Sequence, residues 1–335
     1  MQRALGAAPG EGAGTAPAAT AAAAGRLPVF VLTGPTGAGK SDWAVRLAER
    51  APLEIVSVDS ALVYRGLDIG SDKPSHALRA RIPHHLIDIC APSESYSAGR
   101  FVADAVRAIH EIHARRRVPL LVGGTMLYLR ALLNGLAVLP QASPELRARI
   151  DARALAGGWP ALHQELTKLD PVAAARIAPN DSQRIQRALE VCLSAGKPIS
   201  ELQRDTRSEL ADLPVSGWLL APRERAVLHE RLARRFERMM AAGFLAEVAA
   251  LKSRGDLTAR HPSMRAVGYR QLWAHLEGEC GLDEAVQRAV AATRQLAKRQ
   301  LTWMRSAPLG PWLDPDDAAL SLNRDICHKL ERFGL

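Results

Sequence analysis

A phosphate-binding loop of the pattern G-x-x-x-x-G-K-[ST] spans eight consecutive residues: Gly34, Pro35, Thr36, Gly37, Ala38, Gly39, Lys40 and Ser41. The loop follows an apolar run at 29–32 and precedes a helical pattern at 42–50, the setting in which such loops work. Backbone N–H groups and the helix N-terminus would bind a diphosphate or triphosphate, most often that of a nucleotide such as ATP. Lys40 would neutralise phosphate oxygens, and the Ser41 hydroxyl would bind Mg2+.

A carboxylate, Asp59, ends the next apolar run along the chain, residues 53–59. The carboxyl ends of parallel strands meet at one edge of a sheet, so Asp59 would project toward the phosphate loop. It could bind Mg2+ through a water molecule, or accept a proton from a nucleophile that attacks the bound compound. A simple capping role for Asp59 remains open.

Two further segments carry polar groups at helix starts. Residues 122–128 form a second strand-to-helix turn with paired glycines, in which Thr125 could cap the helix or contact phosphate. Residues 180–187 open another helix, where Gln183 and Arg187 share a face and could bind a base edge or a phosphate. A solvated helix face explains the second segment equally well.

The last long helical pattern carries a stripe of basic residues. Arg294, Lys298 and Arg305 fall within about 40° of one another on a helical wheel, an arrangement suited to following phosphates. Leu301 lies in the same stripe, so we expect this face to be half-buried. Trp303 is interpreted as a core residue in preference to a stacking platform.

Alternating strand and helix patterns would position these groups. Strand-like runs occur at 29–33, 53–59, 85–89, 119–123 and 218–221, with helical patterns at 97–117 and 125–134. The alternation predicts an α/β fold with a P-loop NTPase-like parallel sheet flanked by helices. Further helices are expected at 223–255, 267–277, 282–305 and 316–333.

The chain is divided by composition into four segments. Residues 1–26 are rich in Ala, Gly and Pro and are predicted to be a disordered extension; residues 27–134 form the first part of the α/β core. Residues 135–207 lose the strand signals and are predicted to be a helical insertion, and residues 208–335 complete the core and form a basic helical C-terminal region.

Charge and cysteine content narrow the class of partner and compartment. The formal net charge is +9, which favours a polyanionic partner. The four cysteines form no C-x-x-C pair, which indicates a reducing compartment without a zinc knuckle. No apolar run approaches the roughly 20 residues that span a bilayer, so we expect no membrane contact. We expect a cytoplasmic protein that is a monomer.

Six ordered motifs between residues 28 and 313 resemble the bacterial form of the tRNA dimethylallyltransferase family, also called isopentenyl-diphosphate:tRNA isopentenyltransferases. They begin at Gly34, Asp59, Gly123, Asn180, Val267 and Ala297. The chain departs from the family at Leu62, where many members carry Gln, and at Gly37-Ala38, where Ala-Ser is frequent.

The resemblance implies transfer of a dimethylallyl group from dimethylallyl diphosphate to N6 of the adenine immediately 3′ of the tRNA anticodon, with release of pyrophosphate. The base would be flipped out of the loop RNA. Asp59 would be the general base, while Lys40, Mg2+ on Ser41, Thr125 and Arg225 would stabilise the departing pyrophosphate.

The same resemblance implies a set of residues that contact tRNA in the anticodon stem-loop. They are Asp59, Ser60, Ala61, Leu62, Thr125, Arg147, Gln183, Arg184, Ile185, Gln186, Arg187, Arg265, Ala266, Val267, Gly268, Tyr269, Arg270, Lys298, Arg299, Gln300, Leu301, Thr302, Trp303, Met304 and Arg305.

Two other classes of protein remain possible from the residues alone. A P-loop kinase that phosphorylates a nucleotide or small metabolite would use Asp59 as base or metal ligand, but it would leave the basic C-terminal half unused. An RNA-binding P-loop ATPase would use the basic half but has no obvious need for Asp59. Dependence on ATP separates both classes from prenyl transfer.

Overall fold

A computed structural model describes residues 26–137, 139–140, 143–204, 206–306 and 309–335. The predicted N-terminal extension lies outside the described residues except for Arg26. Within the described residues, no helix is long and apolar enough to cross a membrane.

Six parallel strands form a single open sheet with the order β3-β2-β4-β1-β5-β6. The strands are β1 Val29–Thr33, β2 Leu53–Val58, β3 His84–His85, β4 Val118–Gly123, β5 Val215–Leu220 and β6 Trp312–Leu313. The predicted α/β class with a parallel sheet is therefore confirmed.

Helices surround the sheet and fill the C-terminal region. They are α1 Lys40–Ala48, α2 His76–Arg81, α3 Ala98–Ala114, α4 Met126–Asn134, α5 Pro144–Leu169, α6 Pro171–Ala174, α7 Ser182–Ala195, α8 Ile199–Leu202, α9 Arg225–Ala241, α10 Phe244–Ser253, α11 Tyr269–Leu276, α12 Leu282–Ser306 and α13 Ala318–Glu331. A short 3-10 turn spans Ser263–Arg265.

Alternating side chains of the buried strands pack into two hydrophobic cores, one on each face of the sheet. Phe30 and Leu32 of β1 pack with α1 and α13 on one face of the sheet. Val29 and Val31 of the same strand pack with α3, α4 and the helices α9–α12 on the other face. The helices on this second face bring the C-terminal region over the carboxyl edge of the sheet.

The segment between α4 and β5 contains a hydrophobic cluster of its own, centred on Ile150, Leu166 and Leu189. Its two ends meet: a Cβ built on Gly135 would lie 2.5 Å from the carbonyl oxygen of Arg207. The predicted boundaries of an insertion at these positions remain a prediction.

Two expected elements differ from the structure, and one element was not expected. The third strand was expected at 85–89, but it ends at His85 because Leu86 and Asp88 adopt positive φ, 63° and 59°. The helix expected at 223–255 is divided at Gly243, whose φ of 98° cannot continue a helix. The edge strand β6 was not predicted, since two residues carry no readable alternation.

Candidate active site

The phosphate loop lies between β1 and α1, as its motif requires. Gly37 and Gly39 adopt left-handed backbone angles, with φ of 78° and 79°. A Cβ on Gly34 would lie 2.1 Å from the carbonyl oxygen of Leu220, and a Cβ on Gly37 would lie 2.7 Å from Leu232. The loop is therefore held tightly between β5 and α9, and its conformation depends on these glycines.

Lys40 is the first residue of α1, and its Nζ donates a hydrogen bond to the carbonyl oxygen of Pro35 at 2.8 Å. Burial lowers the pKa of Lys40, the negative charge of Asp59 opposes this shift, and the positive charge of Arg235 adds to it; the resulting pKa is about 8. A lysine held in this way gains a strong electrostatic partner when an anion enters the loop.

Asp59 follows the last residue of β2 and faces the same edge of the sheet. Its Oδ1 accepts hydrogen bonds from the backbone N–H groups of Ala61 at 2.7 Å and Leu62 at 3.2 Å. The carboxylate is fixed by the turn that follows it, so the capping role left open by the sequence is real. It does not exclude chemistry, because both bonds use one oxygen.

Thr125 lies at the end of the neighbouring strand β4 and connects the two strand ends. Its Oγ1 accepts a hydrogen bond from the N–H of Ser60 at 3.2 Å, and its own N–H donates to the carbonyl oxygen of Val58. A Cβ on Gly123 would lie 2.1 Å from that same carbonyl oxygen, so the paired glycines allow the strands to approach closely.

Gln300 of α12 joins the phosphate loop to the second turn. Its Oε1 accepts from the N–H of Thr36 at 2.9 Å, and its Nε2 donates to the carbonyl oxygen of Gly124 at 2.7 Å. The sequence predicted a tRNA contact here. Both ends of the amide are engaged within the protein, so Gln300 fixes the geometry of the site, and its contact with tRNA stays a prediction.

Arg235 of α9 enters the site from the opposite side. Its Nη1 donates to Oγ1 of Thr36 at 2.8 Å, and its Nε lies 3.2 Å from Oδ2 of Asp72. Arg225, the residue predicted from the sequence, lies ten positions earlier on the same helix, about 15 Å away along its axis. Arg225 is exposed and does not line the space beside the phosphate loop, whereas Arg235 does, so Arg235 is the guanidinium next to the loop.

Arginine spacing on α9 was the signal that the sequence prediction missed. Arg231, Arg234, Arg235 and Arg238 line the phosphate end of the site. Their separations of three, four and seven residues put them on one helix face, but the arginine-rich composition of the chain hid this pattern.

Two cavities of about 400 and 480 Å3 meet beside Asp59. The smaller is lined by the phosphate loop and the arginines of α9. The larger is lined by apolar side chains, including Leu232, Phe236 and Met239, and by Arg265, Arg299 and Trp303 near its mouth. Shared walls join the cavities at Thr36, Asp59, Ser71, Gly124, Arg235 and Gln300.

Most of the predicted tRNA contacts lie around this mouth or on the segment that faces it. Ser60, Ala61, Thr125, Arg265, Ala266, Val267, Arg299 and Trp303 line the larger cavity, and Leu62 lines the smaller one. Arg270, Lys298, Thr302 and Arg305 are exposed, and Leu301 is half-buried, as predicted. Trp303 is also only partly buried, with the Arg130 guanidinium 5.5 Å from its ring centre.

The polar residues predicted on α5 and α7 pair with carboxylates of the same segment. Arg147 and Arg187 both contact the buried carboxylate of Glu190, Arg184 pairs with Asp181, and Gln186 donates to Asp151. Gln183 faces the Arg265 guanidinium, and with its amide oxygen turned toward Arg265 the two lie 2.7 Å apart. This last contact connects α7 to the cavity mouth.

Burial corrects two of the predicted contacts. Ile185 and Met304 are 0% and 2% exposed and pack inside the protein. Helical periodicity explains both, since a contiguous run of residues on a helix includes positions that face inward. Tyr269 and Gly268 are also buried, and Tyr269 donates its hydroxyl to Glu247 at 2.6 Å. Because Tyr269 lines the larger cavity, the contacts of these two residues stay predictions.

Comparison with known proteins identifies close relatives. The model of a family described as IPP transferase matches residues 62–307, and one described as isopentenyl transferase matches residues 27–86. A protein of Alkalilimnicola ehrlichii named tRNA dimethylallyltransferase is 58% identical over 88% of this chain and 93% of its own length. A protein of the same name from Methylococcus capsulatus is 55% identical over 88% and 94%.

Solved structures give the same result. The tRNA isopentenylpyrophosphate transferase of Bacillus halodurans is similar with a TM-score of 0.66 at 36% identity, covering 92% of this chain and 98% of its own. A eukaryotic dimethylallyltransferase described as acting on tRNA gives a TM-score of 0.74 at 27% identity, covering 90% and 77%.

Proposed function

The chain belongs to the tRNA dimethylallyltransferase family and prenylates tRNA, and on that basis we propose a donor, an acceptor atom and residue roles for the reaction. The donor is dimethylallyl diphosphate. The acceptor is N6 of the adenine immediately 3′ of the anticodon. The relatives give no support to a kinase.

The position of Asp59 at the junction of the two cavities is the observation that carries this proposal. One cavity offers cationic and N–H groups suited to a diphosphate, and the other offers apolar walls suited to a prenyl group and a base. A proton acceptor between them lies where a nucleophile and an allylic carbon would meet.

The bonds that change are few. The N6 nitrogen attacks C1 of the dimethylallyl group, the C1–O bond breaks, and pyrophosphate leaves with the bonding electrons. The N6 proton passes to Asp59 as the C–N bond forms. An exocyclic amine is a poor nucleophile, so removing this proton in the transition state lowers the barrier.

Hydrogen-bond donors and cationic side chains already in position would stabilise the negative charge that develops on the leaving pyrophosphate. The N–H groups of the loop, Lys40 and Arg235 lie at the phosphate end of the site. The Thr125 hydroxyl accepts from Ser60, so its hydrogen remains available for a phosphate oxygen. Fixed donors of this kind stabilise the transition state without reorganising during the reaction.

Mg2+ fits this site as a partner of the diphosphate. Among the described residues no group of three or more His, Cys, Asp and Glu side chains could hold a metal ion. Mg2+ usually keeps several waters and binds phosphate oxygens with one or two protein ligands, and the exposed Ser41 hydroxyl at the start of α1 supplies one such ligand. When bound, the ion would neutralise part of the pyrophosphate charge.

The adenine would enter from the mouth formed by Arg265, Arg299 and Trp303. The exposed basic residues of α12 would contact the RNA backbone beside it. We propose that the enzyme acts as a monomer in the cytoplasm.

Asp59→Asn tests the role of the carboxylate. The Asn oxygen can still accept from Ala61 and Leu62, so the turn is kept while basicity is lost. We expect kcat for prenyl transfer to fall by about 10²- to 10⁴-fold, the usual contribution of a general base, with the affinity for an anticodon stem-loop RNA nearly unchanged.

Glu49→Gln is the matched control, because it makes the same carboxylate-to-amide change at the far end of α1, on an exposed side chain paired with Arg81. It should leave both quantities unchanged. If Asp59→Asn loses transfer and RNA affinity in equal measure, Asp59 is a binding residue and the proposed mechanism is wrong.

A further inference from the structure

Three consecutive backbone N–H groups of the loop after β2 converge on a single carboxylate, Glu247 of α10. Asp68 and Ile69 donate to its Oε2 at 3.0 and 2.7 Å, and Gly70 donates to its Oε1 at 3.1 Å. The hydroxyl of Tyr269 adds a fourth bond, to Oε1, at 2.6 Å. Burial and the neighbouring carboxylate raise the pKa of Tyr269, so this hydroxyl stays a donor.

The loop is seated closely on the helices below it. A Cβ on Gly70 would lie 2.0 Å from the ring of Phe244, and that ring packs edge-on against Tyr269. On the other side of the loop, Lys73 donates to Asp68 at 2.6 Å and to Asp88 at 2.5 Å. The loop is therefore fixed by its backbone, and its next residues are directed into the site.

Those next residues reach the phosphate loop in two steps. Asp72 adopts a positive φ of 58°, and its carboxylate lies 3.2 Å from Nε of Arg235. Arg235 in turn donates to Thr36 of the phosphate loop at 2.8 Å. Ser71 lines both cavities. A continuous chain of contacts thus runs from Glu247 through residues 68–72 and Arg235 to Thr36.

We propose that Glu247 is a positioning residue for diphosphate binding, which acts by holding residues 68–72 so that Asp72 orients Arg235 toward the phosphate loop. The inference rests on the proposed function, because it takes a diphosphate as the ligand of that loop. Glu247 lines neither cavity and does not contact the reacting atoms.

The chemistry of the contact requires a carboxylate. Each oxygen of Glu247 accepts two hydrogen bonds, one of its four donors being a tyrosine hydroxyl. A glutamine of the same size would turn an NH2 group toward at least one N–H donor, and that donor would lose its partner.

Glu54→Gln provides a control for a purely structural role. Glu54 is also a buried carboxylate with several partners, His85, Arg115 and Arg117, but it lies at the opposite edge of the sheet. Both substitutions should lower the melting temperature. Only Glu247→Gln should change the binding of a diphosphate.

The probe is inorganic pyrophosphate with Mg2+, titrated calorimetrically into the full chain without RNA. We expect Glu247→Gln to weaken binding by roughly tenfold, a coupling within the usual range for connected residues, and Glu54→Gln to leave it unchanged. Tyr269→Phe, which removes the hydroxyl and keeps the ring, should weaken binding in the same direction and serves if Glu247→Gln does not fold.

A double-mutant cycle with Asp72→Asn separates a connected path from two independent effects. If Glu247 acts through Asp72, the double variant should lose much less affinity than the product of the two single losses. Additive losses, or pyrophosphate affinity unchanged in Glu247→Gln, would overturn the inference while leaving the proposed function intact. A wild-type chain that binds no pyrophosphate would instead overturn the proposed function itself.

Discussion

Asp59 divides its two carboxylate oxygens between structure and chemistry. Oδ1 accepts both backbone hydrogen bonds of the turn. In the part of the chain that the structure describes, Oδ2 has no hydrogen-bond partner, and Asp59 lines both cavities. A side chain held by one oxygen and free at the other is well suited to receive a proton, because its orientation is set before the substrate arrives.

We expect Lys40 to make the binding of the proposed diphosphate donor dependent on pH. The pKa of about 8 means that the free enzyme loses the ammonium charge as the pH rises through this value. We expect kcat/KM for the donor to fall about tenfold per pH unit above pH 8, since the neutral amine cannot balance a diphosphate charge. In Lys40→Arg this break should be absent, because a guanidinium stays charged.

The same residue affects stability with a defined sign. The folded-state pKa of Lys40 lies below its ordinary value of 10.5, so between about pH 8 and 10.5 the unfolded chain binds more protons. The contribution of Lys40 to stability therefore rises with pH across this window. Denaturant titrations of the wild type and Lys40→Met should show the wild type gaining on the variant between pH 8 and 10.5; a constant difference would contradict the lowered pKa.

Individual residues divide into those that a local pattern identifies and those that it cannot. The phosphate loop and Asp59 are contiguous with the strands that position them, so their location followed from sequence order. Arg235 reaches Thr36 across 199 residues and Gln300 reaches it across 264. Contacts over such separations depend on tertiary packing, which is why Arg225 was predicted where Arg235 stands.

At the scale of elements, one face of α12 lines the site and the opposite face is exposed to solvent. Gln300 points inward to the phosphate loop, while Lys298 and Arg305 lie roughly opposite on the helical wheel and are exposed. Leu301 and Ala297 pack against Leu228 and Leu232 of α9 and hold the helix in this rotation.

Removing the outward charges of α12 should weaken RNA binding through the phosphates. For Lys298→Ala with Arg305→Ala, we expect lower tRNA affinity and a slope of log K against log salt that is less steep by about one to two, because two phosphate contacts are lost. Arg81→Ala with Arg254→Ala removes the same charge from exposed ion pairs outside α12 and should leave the slope unchanged. An unchanged slope in the first variant would show that the exposed face of α12 does not bind RNA phosphates and is an ordinary surface.

The boundary of an element could be predicted where a single residue determines the backbone conformation. It could not be predicted where a network of side chains determines it. Gly243 could have been recognised as the break between α9 and α10. The early end of β3 depends on Asp88, which adopts a positive φ and pairs with Lys73 and Arg79. No local sequence pattern indicates such a network of ion pairs.

At the scale of the whole molecule, the residues of the candidate active site lie together at the carboxyl edge of one parallel sheet. The phosphate loop, Asp59 and Thr125 follow β1, β2 and β4, which are adjacent in the sheet. Alternation of strands and helices was enough to predict this edge, but not the strand order or the way α9 and α12 close over it. These helices leave a second, larger cavity beside the phosphate loop, with Asp59 between the two.

The account as a whole is tested most directly by one reaction without ATP. Purified chain is incubated with dimethylallyl diphosphate, Mg2+ and an unmodified anticodon stem-loop RNA, and both the RNA product and the released pyrophosphate are measured. The account predicts one pyrophosphate for each adenine prenylated at N6. A reaction that requires ATP hydrolysis, or that transfers phosphate and leaves the adenine unmodified, would contradict it.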